Sequence, residues 1–207
     1  MKTAVKICGI TRAQDALTAA RCGAHAIGLV FYRPSPRYVT PETAAEIVRA
    51  LPPFVTAVGL FVDAPAEEVR EITARTRVQM IQFHGSETPE FCARFELPYL
   101  KAVRVRPEVD LLQYARDFRS AKALLLDAFK EGLHGGTGAV FDWDLIPPAL
   151  PLPVVLSGGL HPENVAEAIR RVRPWAVDVS SGVEASKGIK DASRVEAFVN
   201  GVRDADV

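Results

Sequence analysis

The sequence is poor in the residues that build metal centres and disulfide frameworks. Its three cysteines, Cys8, Cys22 and Cys92, are an odd number, lie far apart and form no Cys-x-x-Cys pair. That disfavours zinc and dithiol redox chemistry and points to a reducing cytoplasm. Of the four histidines, His84 alone ends an apolar run; His25, His134 and His161 are scattered through connections. No metal is therefore expected, because a metal centre needs several His and Asp side chains to converge. Neither sign of charge is in excess, with 25 Lys+Arg against 25 Asp+Glu. This excludes the basic footprint of a protein that binds nucleic acid or a membrane surface. No apolar run reaches the roughly 18 residues that a membrane span requires. The chain runs straight into Val5-Lys6-Ile7-Cys8 with no secretory core segment before it, so a cytoplasmic enzyme is expected.

What is present is a repeat of short apolar, β-rich runs. They are Val5–Cys8, Ala26–Phe31, Val55–Val62, Val78–Phe83, Tyr99–Val103, Ala123–Asp127, Pro153–Leu156 and Ala176–Ser180. The runs are nearly continuous rather than alternating, as in parallel strands covered by helices on the outside. Between them lie amphipathic segments with start signals. Thr11 is a candidate N-cap for the first, and Thr40-Pro41, Ala64-Pro65 and Thr88-Pro89 open the next three. Glu108–Phe118, Asp142–Leu150, a segment after His161-Pro162, and Lys190–Val202 complete eight. Eight alternating units in 207 residues predict one (β/α)8-barrel domain spanning residues 1–207. An open doubly wound sheet would want Gly-x-Gly-x-x-Gly after the first strand, and Cys8-Gly9-Ile10-Thr11 is not that turn.

In such a barrel, chemistry belongs to the carboxyl ends of the strands. The last two strands run into Ser157-Gly158-Gly159 and Ser180-Ser181-Gly182. Neighbouring glycine turns let backbone N–H groups converge on one anion, so Gly158, Gly159, Ser180, Ser181 and Gly182 are candidate phosphate ligands. Cys8 ends the first strand and Asp127 the sixth. A buried thiol is usually inert packing, but one at a strand end can act as a base if nearby positive charge lowers its pKa; Lys6 shares its strand parity. Asp127 is the matching acid, a role that needs a raised pKa from burial or a neighbouring thiolate; a helix N-cap is the other use of such an Asp. His84 is placed to touch substrate. Arg37, held between Pro36 and Tyr38 after Pro34, can grip a carboxylate, although a single arginine is more often solvated. The connection Ala128 to Ala139, with Gly132, Gly135, Gly136 and Gly138, is long enough to be a lid.

Together these motifs resemble a known family. Lys6-Ile7-Cys8-Gly9-Ile10-Thr11, Ser35-Pro36-Arg37-Tyr38, Gln82-Phe83-His84-Gly85, Leu126-Asp127, Gly135-Gly136-Thr137-Gly138 with Phe141-Asp142-Trp143, Ser157-Gly158-Gly159-Leu160 and Val177 to Glu184 occur in the order seen in phosphoribosylanthranilate isomerases. Phe83 and His161 depart from the more usual leucine and asparagine. The resemblance implies an Amadori rearrangement in tryptophan biosynthesis: N-(5′-phosphoribosyl)anthranilate becomes 1-(2-carboxyphenylamino)-1-deoxyribulose 5-phosphate, with no cofactor. It further implies Cys8 as general base, Asp127 as general acid, Arg37 on the anthranilate carboxylate and Asp178 near a sugar hydroxyl. The rivals are an indole-glycerol-phosphate-synthase-like enzyme, which would want a lysine acid at a strand end, and a non-catalytic barrel binding a phosphorylated metabolite. Pro52-Pro53-Phe54, at the opposite end of the barrel, presents an aromatic side chain suited to a homodimer contact.

Overall fold

A computed structural model of the chain describes residues 2–128 and 142–205. Eight parallel strands close into a barrel in sequence order: β1 (Ala4–Ile7), β2 (Ala26–Val30), β3 (Thr56–Phe61), β4 (Met80–Phe83), β5 (Tyr99–Val105), β6 (Ala123–Ala128), β7 (Val154–Leu156) and β8 (Ala176–Val179). Closure is made by β1, which pairs with β2 through Lys6 and Ile7 and with β8 over its whole length. The helices are α1 (Ala13–Cys22), α2 (Pro41–Ala50), α3 (Ala66–Thr76), α4 (Pro89–Cys92), α5 (Leu111–Asp117), α6 (Val165–Val172) and α7 (Ala192–Ala205).

Strand alternation sorts the side chains into two cores. One set, including Ile7, Ile27, Leu29, Phe61, Ile81, Phe83, Leu124, Leu126 and Val177, packs outward against the helices. The other points inward: Leu100, Ala102, Ala123, Leu125, Val155 and Ala176 form one cluster, and Cys8, Val30 and Leu60 form another. Phe83 fits where a leucine is more usual because Phe91, Phe95 and Tyr99 surround it, with ring centroids 5.5–5.9 Å away.

Three local expectations change. Asp142–Leu150 is not a helix: Trp143–Leu145 makes one 3-10 turn, and Pro147 and Pro148, which have no N–H to donate, stop it there. Thr11 does not cap α1. Arg12 occupies the cap position without a capping side-chain bond, its guanidinium donating to Asp15, and the Thr11 hydroxyl donates to the Gly188 carbonyl. Lys190 does not begin the last helix. It lies in a small antiparallel hairpin, β9 (Glu184–Ser186) with β10 (Ile189–Lys190), and α7 starts at Ala192. Thr40 and Thr88 do cap, accepting from the Thr43 and Phe91 N–H groups. Residues 129–141, which carry the expected lid glycines and Phe141, lie outside the described residues. No described helix is long and apolar enough to cross a membrane.

Candidate active site

At the carboxyl ends of the strands an open cavity of about 720 Å³, mouth included, is lined by Cys8, Arg37, Gln82, His84, Asp127, Ser157, Gly158, Gly159, Asp178, Ser180 and Ser181, among others. Cys8 and Asp127, from strands on different sides of the barrel, therefore face one space. Both are buried, at 6% and 4% exposure.

Cys8 sits where it does because the chain turns at Gly9, two residues past the end of β1. Gly9 has φ +73°, and a Cβ there would lie 2.5 Å from Arg37 Cδ, so only glycine permits the turn and the approach of Arg37. Room for the sulfur comes from Gly28 on β2, where a Cβ would stand 2.6 Å from Sγ and 3.2 Å from Lys6 Nζ. That same geometry puts the Lys6 ammonium beside the thiol. Lys6 is pinned from the other side by Asp178, at 2.7 Å, which also accepts from the Ser157 hydroxyl at 3.2 Å. Burial pushes the Cys8 thiol above its ordinary pKa, and the opposing pull of Lys6 is too weak to reverse it. Lys6 itself is raised: burial works against its charge, but Asp178 and Cys8 together outweigh it. The expectation of a thiol lowered by neighbouring charge is thus corrected. Lys6 reaches Cys8, but Asp178 shares its charge and desolvation wins.

Arg37 is neither a solvated arginine nor a free fork. Its Nε and Nη2 each donate to Glu184 at 2.7 Å, and Lys190 Nζ donates to the same carboxylate at 3.0 Å. Burial would raise the Glu184 pKa, but its bonds to Arg37 and Lys190 prevail and hold it below the ordinary range. The hairpin β9–β10 thus braces Arg37 against the cavity wall from behind.

His84 links the two sides of the site. Its Nε2 lies 3.2 Å from Asp127 Oδ2, and its Nδ1 lies 2.9 Å from Gln82 Nε2. The loop that follows it is fixed by a buried knot in which Glu87 accepts from the N–H groups of Asp63 and Gly85 and from Lys101 Nζ. Of the glycine turns, Gly158 and Gly159 both have positive φ and line the cavity. Gly182 does not line it. A Cβ at Gly182 would come within 2.0 Å of the Leu160 carbonyl oxygen, so this glycine lets the turn after β8 press against the turn after β7. Among the described residues no three His, Cys, Asp or Glu side chains converge as a metal-ion site.

With this geometry in place, the kinship of the chain becomes decisive. Residues 5–201 match the family model described as N-(5'phosphoribosyl)anthranilate (PRA) isomerase. The chain belongs to the phosphoribosylanthranilate isomerase family. The N-(5'-phosphoribosyl)anthranilate isomerase of Nitrosospira multiformis is 58% identical over 202 residues, 98% of this chain and 97% of the relative. The phosphoribosylanthranilate isomerase of Thermotoga maritima superposes with a TM-score of 0.90 at 42% identity, covering 98% of this chain and 99% of that one. Monomers generated from that dimeric isomerase superpose at 0.86, with 40% identity and the same coverage. A phosphoribosylanthranilate isomerase in complex with reduced 1-(o-carboxyphenylamino)-1-deoxyribulose 5-phosphate gives 0.84 at 40% identity, again covering 98% and 99%.

Sequence reasoning missed Gln82, Glu184 and Lys190 as parts of this isomerase-family site, and gave Gly28 no role. Gly28 carried a readable signal, since a glycine inside an apolar strand marks a close approach. Glu184 and Lys190 carried none, because their meeting with Arg37 depends on the hairpin.

Proposed function

We propose that the chain catalyses the isomerisation of N-(5′-phosphoribosyl)anthranilate to 1-(2-carboxyphenylamino)-1-deoxyribulose 5-phosphate, with Asp127 as acid and Cys8 as base. The observation that carries this assignment is that one cavity receives both side chains together with both glycine turns. Asp127 gives a proton to the furanose ring oxygen as the C1′–O bond breaks and the nitrogen lone pair forms a protonated imine. Cys8, in the thiolate fraction that its raised pKa leaves, then takes the proton from C2′ to become a thiol, and the released electron pair forms the C1′–C2′ double bond while neutralising the nitrogen. The enolamine tautomerises to the ketone, so substrate and product balance without a redox partner. Lys6 supports the thiolate as it forms, and the positive imine adds a second favourable charge at the step that needs it.

The phosphate is held by the N–H groups around Gly158, Gly159 and Ser181, which line the cavity, while Gly182 only lets the two turns pack together. In support, the Ser180 hydroxyl is buried at the cavity wall without a hydrogen-bond partner among the described residues, a donor suited to a phosphate oxygen. The carboxylate of the anthranilate faces the guanidinium edge of Arg37 that Glu184 leaves open. Asp178 chiefly anchors Lys6, and a sugar hydroxyl is a further partner for it. The test is direct: purified protein added to N-(5′-phosphoribosyl)anthranilate abolishes its anthranilate-type fluorescence with turnover. Binding without that loss would leave a non-catalytic barrel.

Arg37→Lys keeps the charge but loses the planar fork. It is expected to raise KM about tenfold, the scale of one charge-assisted hydrogen bond, with kcat largely retained; steady-state kinetics check this. An unchanged KM would confine Arg37 to bracing Glu184.

The protein is a cytoplasmic homodimer in this reading. Its cysteines are unpaired, which suits a reducing compartment. Phe54 is fully exposed at 100% and has φ +69°, a conformation that a non-glycine residue rarely holds without a use. It supplies an aromatic anchor at the end of the barrel away from the cavity. Phe54→Asp is expected to halve the solution mass in light scattering while activity persists. A wild-type mass that is already monomeric, or one unchanged by the substitution, would remove the contact.

A further inference from the structure

The cavity holds an unexplained atom. Gln82 is fully buried, at 0% exposure, and lines the cavity, yet among the described residues its Oε1 has no hydrogen-bond partner. A buried carbonyl oxygen without a donor is uncommon in a native interior and calls for an explanation. The other amide atom is engaged: Nε2 meets His84 Nδ1 at 2.9 Å, and His84 Nε2 meets Asp127 Oδ2 at 3.2 Å.

With Nε2 of the amide turned toward Nδ1, the chain of contacts sets the proton positions. An amide nitrogen only donates, so His84 Nδ1 must accept, and the imidazole proton lies on Nε2. That proton points at Asp127. With the amide turned over, its oxygen would draw the proton to Nδ1, and a bare Nε2 lone pair would face a carboxylate oxygen. Gln82 therefore decides whether His84 is a donor or an acceptor toward Asp127. An acid that has just released its proton is stabilised by such a donor, since a hydrogen bond to a charged acceptor is about twice as strong as a neutral one.

We propose that Gln82 accepts a hydrogen bond from the bound substrate through Oε1 and thereby holds His84 in the tautomer that stabilises the Asp127 carboxylate left after proton transfer. This rests on Asp127 being the acid. Gln82 binds substrate directly and acts on Asp127 as a positioning residue. The donor is either a ribose hydroxyl or the anilino N–H, the donors nearest the reacting carbons. An occupied site locks the amide, so proton donation is best supported when substrate is present.

The first test needs no substitution. Nitrogen-15 NMR of the imidazole is expected to show His84 protonated on Nε2 in the wild-type protein bound to the reduced product analogue. A proton on Nδ1 would overturn the proposal. Next, Gln82→Leu is expected to weaken inhibition by that analogue about tenfold and to lower kcat by a similar factor. In a His84→Phe background the loss of inhibition persists while the further loss of kcat disappears, as a double-mutant cycle requires of a residue acting through another. An equal kcat loss in both backgrounds would reduce Gln82 to a structural role, and unchanged inhibition would end the substrate contact. An aryl-ether analogue and a deoxy analogue locate the donor, because whichever has lost it binds wild type and Gln82→Leu alike. If Asp127→Asn turned over normally, the acid assignment would fail while the inhibition and tautomer results stood on their own.

Discussion

Cys8→Ala is expected to lower kcat by about 10²–10⁴, the usual worth of a positioned general base, while binding of the reduced product analogue survives. The cavity around Cys8 is shaped by Gly9 and Gly28 rather than by the sulfur, so removing one atom leaves the phosphate turns and Arg37 in place. The wild-type pH profile should carry the signature of this thiol. Burial raises its pKa and Lys6 only partly offsets that, so the free enzyme holds a neutral thiol at neutral pH. The thiolate fraction, and with it the Cys8 limb of kcat/KM, should climb with pH and reach its midpoint above the ordinary cysteine value of about 8.5. Peptide-level alkylation by iodoacetamide reads the same titration without turnover, and it separates Cys8 from half-buried Cys22 and from Cys92, whose thiol is pushed up to about 12. A fully active Cys8→Ala enzyme would contradict the assignment of Cys8 as base, and a Cys8 limb below pH 7 would mean that Lys6 outweighs burial at the thiol.

Asp127→Asn should cost a similar factor for a different reason. Asparagine preserves the shape and can still accept from His84, but it has no acidic proton to deliver to the ring oxygen. Its deficit should therefore shrink for a substrate already in the open-chain form, whereas the deficit of Cys8→Ala should not. Single-turnover measurements that resolve ring opening from the loss of the C2′ proton distinguish the two. Equal sensitivity of both variants at both steps would mean that the roles are not divided as assigned.

The barrel was legible because its strands are short and apolar, because signals such as Thr40-Pro41 and Thr88-Pro89 open helices between them, and because these local features agree with the global alternation. The helix expected over Asp142–Leu150 failed where apolar spacing and proline content disagreed, and the prolines prevailed. Within the site, Cys8, Asp127 and the Gly158–Gly159 turn could be read from their positions at strand ends. What could not be read was pairing. The partner of Arg37 lies 147 residues away in sequence and that of Lys6 lies 172 away, and no periodic pattern encodes such a meeting. Nor does strand position reveal how burial and a neighbouring ammonium balance at a thiol. That sum needs the three-dimensional arrangement.

The seam between β1 and β8 bears on how the catalyst comes into being. The Cys8 N–H donates to the Val179 carbonyl, the Lys190 N–H to Asp15, and the whole of Ala4–Ile7 lies against Ala176–Val179. At ribosomal speed the leading stave waits on the order of ten seconds for its last neighbour to be made. Through that interval the nascent polypeptide exposes an unfilled strand edge, of the kind that invites aggregation, and the future base lacks its ammonium's anchor. The site is therefore complete only once β8 and the hairpin that follows it have joined β1.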